Sequence, residues 1–358
     1  MTTNRGNIQF IDDIESTAWH VLRQQYTNAI IITDENIQPL YGDTLATAYD
    51  AQVITIPAGE KYKNRQTKAF IEDELCKRQF RRNDLLIAVG GGVITDLVGF
   101  VAATYQRGVD HINIPTTLLA MVDAAIGGKT AINTPYSKNG IGAFHSAKHI
   151  IIWPPVLRSL TPEGMLDGLI ETIKHGLIAD EELFSNCEQY GAEILNHSYK
   201  NIQELIQTSM QIKRTIVEQD PLDRGLRQCL NLGHTVGHSI EYASDYSISH
   251  GIAVAIGIIV ETQIAVQLNL LNANTQQRIA ACLYPLCKPQ LDASLLNSDE
   301  LLAHMQKDKK NISDSIQCVM LKTIGQCHIK QHRYTTGVSH ELMESTLQSV
   351  LESGKMPC

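Results

Sequence analysis

Four short apolar, β-branched runs recur in the first third of the chain: Ala29 to Thr33 (AIIIT), Val53 to Ile56 (VITI), Leu85 to Val89 (LLIAV) and Ile112 to Ile114 (INI). Segments with helical periodicity lie among them, such as Gln66 to Gln79 and Ile94 to Ala103. A strand that is apolar at every position must be covered on both faces, and alternation with helices supplies that cover in a parallel sheet. The N-terminal part is therefore expected to be a Rossmann-like α/β domain.

Beyond about Pro162 the strand signal fades and long amphipathic stretches take over: Met165 to Ile178, Ile202 to Val217, Leu232 to Ala243 and Ile252 to Leu268. This predicts a C-terminal, all-helical domain. Trp153 to Pro162 (WPPVLRSLTP) has three prolines and no helical period, which suits a connection. The expected division is 1–160 and 161–358, in keeping with about two domains for 358 residues.

Hydrophobic residues make up 43% of the chain and charged residues 19%, so a large core is available and disorder is excluded. The net charge of −8 argues against coating nucleic acid or an anionic membrane through overall charge. The start, MTTNRGNIQF, has no apolar export signal. The runs LLIAVGGGVIT and GIAVAIGIIV fall short of the roughly 18 residues that span a bilayer. A soluble, cytoplasmic chain is expected, with no nucleic-acid or membrane partner. Eight scattered cysteines without a CxxC pair suit reduced thiols better than a disulfide framework.

LLIAV runs directly into Gly90, Gly91 and Gly92, and a helix is expected to begin near Thr95 or Asp96. Glycines there let backbone amides approach a phosphate at a helix N-terminus, although tight turns use them too. Other strand ends carry polar clusters: Asp34-Glu35-Asn36, Gly59-Glu60-Lys61-Tyr62-Lys63 and Thr116-Thr117. Ligands of open α/β sheets bind at that edge, so the convergence favours a nucleotide. Asp34, closing the first strand, suits a ribose hydroxyl and points to NAD over NADP.

Asn231 to His238 (NLGHTVGH) places His234 and His238 at i and i+4 on one helix face, and His250 follows sixteen residues after His234. Many zinc sites use this spacing, and so do ordinary surface or core histidines. Gly233 and Gly237 leave room for close packing or a bound group. Glu171, in GLIETIKHG, is the best carboxylate to complete a catalytic zinc set. Lys174 at i+3 would stand beside it, but the spacing alone is that of a helix salt bridge. His175 is a rival ligand on spacing grounds. Arg107, Asp123, Gly127-Gly128-Lys129 and Lys138-Asn139 with Gly140 and Gly142 form a dense polar run whose cations suit a phosphorylated substrate, or plain solvated surface.

In order along the chain, GGGVITDLVGF, YQRGV, IPTTLLAMVDAAIGGKTAIN, KNGIGAF, ETIKHG, GLRQCLNLGHTVGHSIE, SHG, DKKN and GVSHEL together resemble the 3-dehydroquinate synthases of the sugar-phosphate cyclases. The resemblance covers nearly the whole chain. It implies zinc, or cobalt, held by Glu171, His234 and His250, with His175 not a ligand. It implies NAD-binding positions at Asp34, Glu60, Lys63, Gly91, Gly92, Val93, Asp96, Thr116, Thr117 and Lys138. Substrate-binding positions would be Asp123, Lys129, Asn139, Lys174, Lys213, Arg227, Asn231, His238 and a lysine of Lys309-Lys310. Arg107 resembles the arginine that reaches a neighbouring subunit's phosphate site, which implies a homodimer. Lys129, Lys174, Asp223 and His238 would be catalytic.

The implied substrate, 3-deoxy-D-arabino-heptulosonate 7-phosphate, carries a carboxylate and a phosphate. The implied reaction oxidises one hydroxyl, eliminates phosphate, returns the hydride from NADH and closes the ring by an intramolecular aldol step, giving 3-dehydroquinate in the shikimate pathway of aromatic amino acid biosynthesis. The metal would polarise the oxidised centre and NAD would not be consumed. His238 is expected to move protons because imidazole titrates near pH 6.5. One domain would hold NAD and the other the metal, with the chemistry between them.

The chain also departs from the family pattern. Asp223 stands where a proton-accepting glutamate is usual, Glu163-Gly164 where Arg-Glu is common, and Asp167 where an amide or small residue often contacts the cofactor. Trp153 replaces an acid and Ser137 a glycine. The alternatives are a sister sugar-phosphate cyclase, a metal-dependent alcohol dehydrogenase of the glycerol dehydrogenase type, and a non-catalytic NAD- or metal-binding regulator.

Overall fold

The computed structural model describes residues 6–13, 24–287, 297–306, 315–330 and 333–353, and divides into two compact units, Met1–Leu160 and Thr161–Cys358. The first unit contains β1 (Asn7–Phe10), β2 (Ala29–Asp34), α1 (Asp43–Tyr49), β3 (Gln52–Ile56), α2 (Arg65–Lys77), β4 (Leu85–Gly90), α3 (Gly92–Thr104), β5 (Asp110–Pro115), β6 (Lys129–Thr134), β7 (Ser137–Phe144) and β8 (His149–Ile152). Six of the strands form one sheet in the order β1-β8-β5-β4-β2-β3, with every pairing parallel.

Alternation along the strands explains why the sheet is buried on both sides. Ile30, Ile32, Leu86 and Ala88 point to one layer, where they pack with Leu97, Val98 and Val101 of α3. Ile31, Ile87 and Val89 point to the other, with Leu45 and Tyr49 of α1. Neither face of a central strand meets water, so neither face needs polar residues. The four apolar runs are four of these six strands. The edge strand β1 has four half-exposed or exposed residues, NIQF, too few and too mixed to stand out.

The polar run around Lys129 forms an antiparallel hairpin, β6 with β7, turning at Pro135 and Tyr136. Its glycines and lysines hide the strand signal, because β7 exposes roughly every second residue and has little apolar pattern to show.

The second unit contains α4 (Pro162–Ala179), α5 (Glu181–Leu195), α6 (Ile202–Gln219), α7 (His234–Ala243), α8 (His250–Gln267), α9 (Ala273–Cys287), α10 (Ser298–Gln306), β9 (Ser315–Cys318), β10 (Leu321–Thr323), β11 (Gln326–Cys327), β12 (Thr336–Ser339) and α11 (His340–Ser353). It is helical, as expected, and carries in addition two short antiparallel ribbons, β9 with β12 and β10 with β11. Strands of two to four residues are shorter than any periodicity can register.

α4 is capped by Thr161, whose Oγ1 accepts the Gly164 N–H, and begins with Pro162 in the first turn. α8 corrects the expectation about apolar length. At 18 residues and mean hydropathy 1.4 it is long and apolar enough to cross a membrane, because the helix continues past GIAVAIGIIV through ETQIAVQ. In this fold 78% of it is buried, packed against α4, α7, α9 and α11. It is a core helix, apolar all round because its neighbours surround it.

Candidate active site

In the first unit the glycine turn follows β4 directly. Gly91 is the N-cap of α3 and no side chain caps it, so the first amides of that helix have no intrahelical partner. A Cβ on Gly91 would lie 3.0 Å from Thr117 Cγ2, which ties the glycine to the threonine pair after β5. Thr116 donates its N–H to Gly90 O at 3.0 Å, and its Oγ1 is buried with no hydrogen bond among the described residues. Val93 follows in the first turn of α3. The expected cofactor residues Gly91, Gly92, Val93, Thr116 and Thr117 are thus neighbours.

A second cluster gathers Glu60, Lys63, Asp96 and Asn139. Buried Lys63 donates from Nζ to Asp96 Oδ2 and to Asn139 Oδ1, both at 2.6 Å. Asn133 joins the rest: its Nδ2 donates to Glu60 Oε1 at 2.7 Å, its N–H to Lys63 O at 2.7 Å, and its Oδ1 accepts the Asn139 N–H at 2.8 Å. Asn139, expected among the substrate residues, therefore sits with residues expected to bind NAD, and Asn133 was not singled out although it closes the segment GGKTAIN. Asp34 closes β2, with Oδ1 accepting the N–H groups of Asn36 and Ile37. Burial raises its carboxyl pKa, opposed by those two bonds. Asp123 is half-buried, Lys138 is half-buried on β7, and Lys129 is exposed. Arg107 and Asn139 have φ of +63° and +51°, values uncommon for residues with a Cβ.

In the second unit Glu171, His234 and His250 converge, with one ligand atom from each within 4.8 Å of the others. His234 Nε2 is 3.7 Å and His250 Nε2 3.5 Å from Glu171 Oε1. Each imidazole uses its other nitrogen elsewhere: His234 Nδ1 faces Leu232 O at 3.1 Å and His250 Nδ1 faces Glu241 Oε1 at 3.2 Å. Both Nε2 atoms thus face the carboxylate, and an imidazole that donates from Nδ1 can offer Nε2 to a metal that displaces its proton. Tetrahedral zinc with ligands at about 2.0–2.1 Å places them roughly 3.3 Å apart, so this donor set fits the ion.

The electrostatics suit a cation. Burial, with Lys174 nearby, holds His234 well below its ordinary pKa, so it is a neutral donor. For His250 burial acts the same way, but hydrogen bonds to Glu171 and Glu241 outweigh it and push the imidazole up to about 9. A carboxylate pair that favours a proton at that nitrogen favours a divalent cation for the same reason. Lys174, fully buried, hydrogen-bonds Glu171 Oε2. The i,i+3 salt bridge and the ligand reading are therefore compatible, since the two oxygens of one carboxylate are used separately.

Close helix packing brings the histidines together. Gly233, at φ +76°, caps α7 and donates its N–H to Glu261 Oε2 on α8 at 2.8 Å. A Cβ on Gly257 would come 1.9 Å from Gly233 O, so only glycine permits this approach. The His234 ring lies 5.2 Å from that of exposed His238 and 5.4 Å from that of His250. His175 turns to Ser209 on α6, with Nδ1 2.7 Å from Oγ.

Lys213 on α6 and Arg227 are buried cations. Asp220 organises the loop before Arg227: Oδ1 accepts the Arg224 N–H at 3.0 Å, and Oδ2 accepts those of Gly225 at 2.6 Å and Arg227 at 3.1 Å. These three bonds outweigh desolvation and hold its carboxyl below the ordinary value. Arg227 Nη1 also donates to Pro221 O at 3.0 Å. Asp223 lies within the loop at φ +57°, and Asn231 ends the turn Leu226–Asn231. Lys309 and Lys310 lie outside the described residues.

Residues 53–167 match the family model for the 3-dehydroquinate synthase N-terminal domain, and residues 168–311 match that for its C-terminal domain. The chain belongs to the 3-dehydroquinate synthase family. The 3-dehydroquinate synthase of Coxiella burnetii is 39% identical over 330 residues, spanning 91% of this chain and 89% of that protein. Among solved structures, 2-epi-5-epi-valiolone synthase from Streptomyces hygroscopicus subsp. jinggangensis, with NAD+ and Zn2+ bound, superposes with TM-score 0.87 at 25% identity, covering 97% of each chain. 2-Deoxy-scyllo-inosose synthase, complexed with carbaglucose-6-phosphate, NAD+ and Co2+, gives TM-score 0.88 at 22% identity, covering 96% of each chain.

This member of the 3-dehydroquinate synthase family is therefore an enzyme with a sugar-phosphate cyclase fold. Two of its departures acquire a setting. Asp223, in place of the usual glutamate, occupies a left-handed position that aspartate tolerates better. Asp167 binds the residues on either side of His250: its Oδ1 accepts Ser249 Oγ–H at 2.7 Å and Gly251 N–H at 2.8 Å.

Proposed function

We propose that this chain is a 3-dehydroquinate synthase that converts 3-deoxy-D-arabino-heptulosonate 7-phosphate to 3-dehydroquinate and phosphate, with NAD as a cofactor that is regenerated. The observation that carries the reading is the Glu171, His234 and His250 donor set inside a chain that matches both halves of the family model. Bound NAD supplies a reversible hydride acceptor and a bound divalent metal a Lewis acid. The first unit would hold NAD through the α3 N-terminus, Thr116 and Thr117, with Asp34 on a ribose hydroxyl.

The remaining work falls to side chains of the protein. Arg227, Lys213 and Asn231 suit the substrate carboxylate, because a guanidinium, an ammonium and an amide N–H all donate to a carboxylate. Lys129 and Arg107 suit the phosphate, with Arg107 reaching that of a second subunit in a homodimer. Lys174 polarises Glu171 and faces the substrate oxygens. Asp223 takes up a proton, at shorter reach than a glutamate, and His238, exposed beside His234, relays protons. We place the enzyme in the cytoplasm and take zinc as the metal, with cobalt as a functional substitute.

The test is a product assay. Purified protein with the heptulosonate phosphate, NAD and zinc is expected to release phosphate and form dehydroquinate, and a chelator is expected to stop it. No product from metal-replete protein overturns the reading. A sister-cyclase specificity is the second reading, since 2-epi-5-epi-valiolone synthase shares the fold at 25% identity, so the panel includes sedoheptulose 7-phosphate; turnover of that sugar alone reverses the assignment.

A further inference from the structure

We infer that Asp167 is a positioning residue for His250, fixing the start of α8 through the two residues that flank this imidazole. The inference rests on the metal reading proposed above and adds a residue outside the ligand set.

Ser249 is the N-cap residue of α8, yet its hydroxyl makes no capping bond to its own helix. It donates instead to Asp167 Oδ1 on α4 at 2.7 Å, and the same oxygen accepts the Gly251 N–H, one of the donors a helix start leaves unpaired, at 2.8 Å. An ordinary cap would secure α8 internally but leave it free to shift along its neighbour. A cap supplied by α4 fixes the register of the two helices at residue 250. The packing is tight there, since a Cβ on Gly251 would lie 2.6 Å from Asp167 Cα.

Register against α4 is the quantity that matters for the metal. Asp167 and Glu171 are four residues apart on α4, so they lie on one face about one turn from each other. One helix therefore presents both the ligand Glu171, whose Oε1 is 3.5 Å from His250 Nε2, and the anchor for the backbone of His250. Glu241 fixes the ring through Nδ1, while Asp167 fixes the backbone that carries it. Burial raises the Asp167 carboxyl above its ordinary pKa, opposed by the Ser249 and Gly251 bonds and by nearby His250. The acceptor oxygen is what both contacts use, and an amide oxygen provides it equally well.

The test uses metal-stripped full-length protein titrated with Zn2+ against a chromophoric chelator, and with Co2+ while its d–d absorption is recorded. Asp167→Ala is expected to weaken Zn2+ binding about ten-fold or more and to alter the Co2+ spectrum, with far-UV circular dichroism unchanged. Asp167→Asn keeps an acceptor and is expected to restore both signals. Ser249→Ala removes one of the two bonds and is expected to weaken Zn2+ by about two- to ten-fold, which keeps the inference testable if Asp167→Ala does not fold. Zn2+ affinity within two-fold of wild type and an unchanged Co2+ spectrum in Asp167→Ala overturn it. So does Asp167→Asn behaving like the alanine variant. His234→Ala is the reference: if wild type binds Zn2+ no better than His234→Ala, the metal reading itself fails, and this inference with it.

Discussion

Glu171 divides its carboxylate between two partners: Oε1 stands 3.5 Å from His250 Nε2, and Oε2 takes the buried ammonium of Lys174. A carboxylate with no solvent exposure stays charged only if both oxygens are answered by positive charge or hydrogen bonds. Lys174 answers one, and the other faces His234 and His250, where the proposed metal would sit. On the proposed metal reading, the buried ion pair supports an anionic ligand inside an apolar helix.

His234→Ala removes one of three donors while leaving Lys174 on Glu171. It is expected to abolish stoichiometric zinc and to lower kcat/KM by roughly a thousand-fold, since metal assistance is worth about 4 kcal/mol and each 1.36 kcal/mol is ten-fold. NAD binding is expected to persist. Metal content by atomic emission and turnover of the same preparation decide it; unchanged activity in metal-free protein removes the metal assignment.

Gly257→Ala places a methyl group where Gly233 O now lies 1.9 Å away, so α7 and α8 must part. Overpacking of this kind costs about 1–3 kcal/mol. Because Gly233 immediately precedes His234, separation of the helices is expected to reduce zinc affinity as well as the urea midpoint. A variant that loses stability yet binds zinc as wild type would show that the close packing serves the core alone.

Asp220→Ala leaves three backbone N–H groups of the loop without their shared acceptor. Hydrogen bonds to a charged group contribute about 1.5–3 kcal/mol each when buried, and less in this partly exposed loop. The expected outcome is a rise in KM of ten-fold or more, because Arg227 loses its anchor, with zinc content unchanged. Steady-state kinetics with metal analysis tests it, and a wild-type KM contradicts it.

What the sequence made legible, and what it hid, follows from the range of the interactions. LLIAV and AIIIT announce buried strands because both faces of each carry apolar residues, a property contained in five consecutive positions. The pairing of His234 with His250 could be placed only by resemblance, since spacing equally favoured His238 and His175. Among the residues missed altogether, Asn133 and Glu261 act on groups far away in sequence, Glu60 and Gly233, while Asp220 and Glu241 act on residues within a loop or across a helix end, where no periodicity marks them. A carboxylate that accepts a distant N–H has no local signature, and Asp167 was noticed only as a departure.

A pH prediction arises away from the site, at His111 on β5. It is buried, stacked at 5.2 Å on His145, and its Nδ1 makes no hydrogen bond among the described residues. Burial, reinforced by His145, pushes its pKa from 6.5 down to about 3. Above pH 6.5 the imidazole is neutral folded and unfolded, so it adds no pH dependence. Between about 6.5 and 3 the unfolded chain takes up a proton that the folded one refuses, so stability falls as pH falls, by up to about 1.4 kcal/mol per unit. From pH 7.5 to 5.5 this one group is expected to remove about 1.4 kcal/mol. His111→Leu removes the group without leaving a bonded partner unpaired. Urea unfolding of both proteins at the two pH values is expected to give a loss smaller by that amount in the variant. Equal losses in the two proteins would mean that His111 is protonated in the folded state.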